Sequence, residues 1–245
     1  MVTDQRQVVA SVRGRRSVPG LKAIAPGTNA NIEYVRQQTP MPETANELCQ
    51  IARALGVSDS EVLLGWEATE GKVKDLSQKG RLSDYRILHF ATHGALAGEL
   101  KGLSEPGLIL TPPPRGTSDS KLLDRDDGYL TASEIATLTL DADWVILSAC
   151  NTAGAAGETA EALSGLARAF FYAGARTLLV SHWAVESDAA VKVTTRAFEE
   201  LRTNPAIGRA EAFRISMREL IHNGSSIDAH PMQWAAFVVV GEGAR

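Results

Sequence analysis

W-V-I-L-S-A-C, residues 144–150, decides how this sequence folds. Four large apolar residues stand in a row with no polar residue between them, so a strand here is buried on both faces. R-T-L-L-V-S-H-W (176–183) has the same character. Between the two lie a Gly/Ala-rich turn and a helical stretch, E-T-A-E-A-L-S-G-L-A-R-A-F-F-Y-A-G (158–174), with Gly174 as its stop signal. Strands alternating with helices call for a mostly parallel sheet with helices on both faces, and the two most apolar strands belong at its centre.

The pattern continues outward. R-I-L-H-F-A-T (86–92) reads as a strand that ends at His93-Gly94, and W-A-A-F-V-V-V-G (234–241) closes the sheet. L-K-A-I-A (21–25), E-V-L-L-G (61–65) and G-L-I-L-T (107–111) are shorter strand candidates. Residues 43–55 place Leu48, Cys49, Ile51, Ala52 and Leu55 on one helical face, and helices are also expected over 67–76, 187–202 and 205–222. Thr131 and Glu134 have the spacing of a capping box ahead of a short helix. The segment from His93 to Trp144, with its proline triplet (112–114) and charged loop (115–127), has the composition of a mobile element beside a site. Residues 1–20 are polar and arginine-rich and read as a flexible arm, which leaves 21–245 as one domain.

Composition narrows the function. The chain has 245 residues, 44% hydrophobic and 22% charged, enough for one large core. A net charge of −4 gives no broad grip on nucleic acid or an anionic membrane. No apolar run approaches the roughly 18 residues of a spanning helix. The N-terminus lacks the apolar core of a secretory signal, and two cysteines, Cys49 and Cys150, make no disulfide framework, so a reducing cytoplasm is the expected setting. No C-x-x-C or H-E-x-x-H spacing occurs, so neither a metal nor a cofactor is expected.

In parallel sheets, sites form beyond the carboxyl ends of strands. Cys150, His93 and Trp183 all fall there. A thiol nucleophile needs a base within reach and N–H donors for the oxyanion that forms on the attacked carbonyl. If the strands ending at His93 and Cys150 are neighbours, the imidazole can serve as that base, with the backbone N–H groups of Gly94 and Cys150 as donors. Cys49 belongs to an apolar helix face and reads as packing. His89 shares strand parity with His93 but lies inside the strand, so it reads as a satisfied core histidine. His182 is a rival base at another strand end, while His222 and His230 read as surface residues. Trp183 could wall a substrate cleft. Glu158, Glu161, Glu186 and Asp188 give the cleft-forming segments an acidic bias, which points to a weak preference for a basic P1 residue.

The strings L-H-F-A-T-H-G (88–94), L-S-A-C-N-T-A (147–153), G-L-A-R-A-F-F-Y-A-G-A-R-T-L-L-V-S-H-W-A-V (165–185) and H-P-M-Q-W-A-A-F-V-V-V-G-E-G (230–243) together resemble the CHAT domain, a caspase-like family related to separases. Weaker likeness lies in 42–48, 63–69 and 128–135. The resemblance implies a caspase-hemoglobinase three-layer sandwich with His93 as catalytic histidine and Cys150 as nucleophile. It also implies an oxyanion N–H at Gly94. Ser148 stands where metacaspases carry an acid, which points away from that branch. The activity implied is a cysteine endopeptidase acting on a protein substrate, controlled by a regulatory protein or a tetratricopeptide-repeat partner. Two other readings compete: a catalytically silent interaction module on the same fold, and a nucleotide-binding domain, which lacks G-x-G-x-x-G and Walker A spacing.

Overall fold

The computed structural model describes residues 32–38, 41–95, 97, 104–117, 119, 123, 125–148, 159–183, 185–204 and 206–242. The arm, the 21–25 strand candidate and Cys150 lie outside the described residues. In chain order the elements are α1 (Ile32–Val35), α2 (Glu43–Ala54), α3 (Glu70–Gln78), β1 (Ile87–Phe90), β2 (His93–Ala95), β3 (Gly107–Ile109), β4 (Tyr129–Thr131), α4 (Ala132–Ile135), β5 (Trp144–Leu147), α5 (Thr159–Ala173), β6 (Thr177–Ser181), α6 (Ser187–Thr203), α7 (Arg209–Asn223), α8 (Pro231–Trp234) and β7 (Phe237–Gly241).

The main sheet has the order β1-β5-β6-β7. β1 and β6 flank β5 in parallel, and β7 pairs antiparallel with β6. Every residue of β5 and β6 is buried, as their unbroken apolar runs require. Alternate side chains feed two cores. Val145, Leu147, Leu178 and Val180 join Leu166, Phe170, Ile135 and Leu138 on one face. Ile146 and Leu179 meet Val193, Phe198, Phe213 and Leu220, from α6 and α7, on the other. The result is an α/β three-layer sandwich, as expected. Gly174 ends α5 with φ +114°, and a Cβ there would stand 2.3 Å from the Leu140 carbonyl oxygen, so only glycine fits.

Three expectations need correcting. E-V-L-L-G forms no strand. Leu64 is extended, but short 3-10 turns flank it at 59–61 and 65–67. The Gly65 carbonyl accepts from the Ala68 N–H and the Thr111 hydroxyl, and the Ala68 carbonyl from the Thr111 N–H, which is a turn and a single crossing rather than a ladder. The helix expected from residue 67 begins at Glu70, where the Thr69 hydroxyl accepts from the Lys72 N–H. The described part of the His93–Trp144 segment is not a loose loop. It builds a second sheet, β2-β3-β4, antiparallel throughout, with β3 and β4 fully buried. The Thr131/Glu134 capping box is present and starts α4. Among the described residues no helix is long and apolar enough to cross a membrane.

Candidate active site at the strand ends

β1 and β5 run side by side in register, Ile87 opposite Trp144 and Phe90 opposite Leu147. The ladder reaches one residue further, where the Ser148 N–H donates to the Phe90 carbonyl at 3.2 Å. His93 follows Phe90 by three residues, and Cys150 follows Leu147 by three. The two thus lie equal numbers of residues beyond paired positions on adjacent strands, and such strands are about 4.8 Å apart. On the other flank of β5, Leu147 is opposite Val180, so Trp183 is the residue three beyond on β6.

His93 does not continue β1. The strand stops at Phe90, and His93 opens β2, opposite Ile109, with Gly94 opposite Leu108. The Thr92 hydroxyl donates to the Ile109 carbonyl and pins the bend. Shared parity of His89 and His93 therefore does not hold, because parity needs an unbroken strand.

His89 is a core residue but not a fully satisfied one. Its side chain is 8% exposed and Glu47, from α2, is 5% exposed. His89 Nε2 lies 2.9 Å from Ser148 Oγ and 3.2 Å from Glu47 Oε1. His89 Nδ1 and Glu47 Oε1 are buried without a hydrogen-bond partner among the described residues. Sequence reading missed Glu47 and Ser148. The available signal was an acid one turn before Ile51 on the apolar stripe of α2. The buried residues of α2 are in fact Glu47, Ile51 and Ala52, while Leu48 and Cys49 are only half-buried.

Beyond β6, the Trp183 indole N–H donates to the Met232 carbonyl at 2.9 Å, and Trp183 is 36% exposed. Nearby, Glu186, Ser226, Ile227, His230, Met232 and Gln233 line an open cleft of about 370 Å³. His230 Nδ1 caps α8 by accepting from the Met232 N–H, a role its sequence context did not reveal, though it is exposed as expected, like His222. Of the acids singled out, Glu186 reaches this cleft and Asp188 is exposed in the first turn of α6, where it suits the helix dipole. Glu158 and the side chain of Glu161 lie outside the described residues. Among the described residues no cluster of His, Cys, Asp or Glu is placed to hold a metal.

The family model described as CHAT domain matches residues 5–242. Tetratricopeptide repeat protein 28 of Mus musculus is 27% identical over 234 residues, which is 84% of this chain and 9% of that protein. Its namesake in Homo sapiens is 27% identical over 239 residues, with the same coverage of both. The chain thus spans 9% of the length of these curated relatives.

Proposed function

The chain belongs to the CHAT domain family, caspase-like in fold, and on that premise we propose that it is a cysteine endopeptidase with Cys150 as nucleophile and His93 as base. The observation that supports the reading is the register of β1 with β5: the strands that precede His93 and Cys150 in the sequence are parallel neighbours that end together. His93 takes the thiol proton, and the thiolate adds to the scissile carbonyl. The N–H groups of Gly94 and Cys150 receive the oxyanion. His93 returns the proton to the leaving amine, and water, deprotonated by His93, then frees the acyl group from sulfur. The small sheet supports this division of labour, since β3 fixes the backbone of His93 and Gly94 from the side.

The direct test is thiol reactivity. A thiolate stabilised by a neighbouring imidazolium titrates below the free value of about 8.5. In folded protein near neutral pH, Cys150 should alkylate with iodoacetamide at least about tenfold faster than half-buried Cys49. Equal rates would leave only the silent interaction module standing.

Substrate preference follows the cleft beside Trp183. Glu186 at its rim, with Ile227 and Met232 as apolar wall, suits a side chain with an aliphatic stem and a cationic head. Because Glu186 is exposed, the preference for Lys or Arg at P1 should be weak. Glu186→Gln is expected to lower cleavage of Lys/Arg peptides by less than about fivefold and to spare others. A library profile with strict Asp or small apolar P1 would reject the assignment. The relatives are named for tetratricopeptide repeats, which fits control by such repeats, on a partner or in an adjoining segment.

A further inference from the structure

Glu47, His89 and Ser148 form a buried polar contact that the chemistry above does not use. It joins α2, β1 and the last laddered residue of β5, and all three residues lie far apart in sequence. It is not a second hydrolytic triad. In such a triad the serine and the acid occupy different ring nitrogens. Here both face Nε2, and Nδ1 has no partner among the described residues. His89 Nε2 makes its hydrogen bond with Ser148 Oγ, while Glu47 Oε1 stands 3.2 Å from the same nitrogen without a bond of its own among the described residues. With the acid and the serine on the same ring nitrogen and Nδ1 unpartnered among the described residues, the ring holds Ser148 in place and does not relay a proton from serine to acid.

Burying these groups costs stability that an apolar trio would not cost. An orphaned buried atom in such a cluster calls for an explanation. Position supplies one. β5 ends at Leu147, and Cys150 follows it by three residues in the sequence. At Ser148 the backbone is held by one N–H bond to Phe90, and its side chain by His89. His89 is also in β1, four residues before His93. One imidazole therefore ties the strand that leads to the base to the strand that leads to the nucleophile, and Glu47 packs against the same edge of the ring from the helix layer. We propose that Glu47, His89 and Ser148 are positioning residues that set the Cys150 segment relative to His93. The proposal rests on the peptidase reading for its consequence in catalysis, but not for its consequence in structure.

Loss of the contact should let the Cys150 segment move, and a misplacement of about 1 Å can cost on the order of 100-fold in rate. Three variants of the whole chain test this. Ser148→Ala cuts the link while leaving Glu47 beside His89. His89→Phe removes both ring nitrogens. His89→Gln restores a donor near the position of Nε2. In Ser148→Ala and His89→Phe, amide hydrogen exchange in peptides spanning 147–152 should accelerate about tenfold, the worth of one such hydrogen bond. On a cleaved peptide, kcat should fall roughly 10–100-fold with KM within about twofold, and His89→Gln should recover most of it. If His89→Phe does not fold, the other two variants decide. Exchange and kcat at the wild-type level in Ser148→Ala would overturn the proposal. If Cys150 is no more reactive than Cys49 in the wild-type chain, the peptidase reading falls, and the exchange data alone then uphold or reject the positioning role.

Discussion

His93→Ala is expected to abolish peptide cleavage, with a loss of roughly 10²–10⁴-fold, while the protein stays folded. His182→Ala should keep most of the activity. The comparison matters because β5 has a strand on each side. On the β1 flank, His93 lies three residues beyond the position paired with Leu147, and on the β6 flank His182 lies two beyond. Strand order alone therefore admits either histidine. The local bonds separate them. The backbone of His182 extends the β6–β7 ladder, its main-chain N–H donating to the Ala236 carbonyl at 2.8 Å, and its ring lies 6.5 Å from that of Trp183. His93 opens β2, whose backbone is held by β3, and is followed by Gly94, which lets a carbonyl approach the main chain. Circular dichroism and melting temperature would verify that both variants fold. Turnover on the best library peptide, with sites titrated by a covalent probe, gives the ranking. Activity lost in His182→Ala and kept in His93→Ala would remove His93 from the mechanism.

The central sheet was legible because β5 and β6 are buried on both faces, and that condition writes itself as an unbroken apolar run. The same holds for α5, whose end is marked by a glycine that no other residue can replace without striking Leu140. The capping box at Thr131 was legible because it is local, four residues long and built from its own side chains. The small sheet was not legible as a sheet. Its strands have three residues each, too few to show a period of two, and 11 residues of chain separate β2 from β3 and 19 separate β3 from β4. E-V-L-L-G was misread because its composition suits a strand while its position offers no strand to pair with.

The site divides in the same way. His93 and Cys150 could be proposed because each follows a strand that announces itself. The Glu47–His89–Ser148 contact could not be, since it spans 42 residues on one side and 59 on the other (89 − 47 and 148 − 89), and only the packing of α2 on the sheet brings the three together. His89 carried no local sign of its partners. A buried acid on an apolar helix stripe is the mark that such a partner exists, and Glu47 shows that mark.

Glu70→Ala should destabilise the fold by about 3–5 kcal/mol, as expected when a buried acceptor that serves three donors is removed. Glu70 is 1% exposed, at the start of α3. One carboxylate oxygen accepts from the Lys74 ammonium, and the other accepts from the N–H groups of Asp127 and Gly128, at 2.8 and 3.0 Å. Lys74 also donates to Glu134 at 2.6 Å, so the cluster ties α3 to the capping box of α4 and to the turn that enters β4. Beside it, Asp126 packs so tightly that a Cβ on Gly71 would sit 2.5 Å from its Oδ2, and burial raises its pKa. Alanine at 70 leaves two main-chain donors without acceptors, at a cost of roughly 1–3 kcal/mol each if they stay dry. Glu70→Gln keeps an amide oxygen for them and should cost less. The two variants also separate charge from shape. Burial pushes Glu70 from its ordinary 4.5 up to about 8, against the pull of Lys74. Between those values the folded chain holds a proton that the unfolded chain has released. The stability this contributes is full below about pH 4.5 and declines as pH rises toward 8. Glutamine does not titrate, so the stability of wild type relative to Glu70→Gln should fall over that window. Denaturant midpoints of the wild type and both variants at half-unit steps from about pH 5 to 8 give the curve. A difference that is flat, or that grows in favour of wild type with pH, would mean that Lys74 and the main-chain donors hold Glu70 ionised. Either way, β4 pairs with β3 and β3 with β2, so a turn loosened at Asp127 reaches the backbone of His93 through two ladders. Cleavage by Glu70→Ala should drop even at temperatures where the variant remains folded.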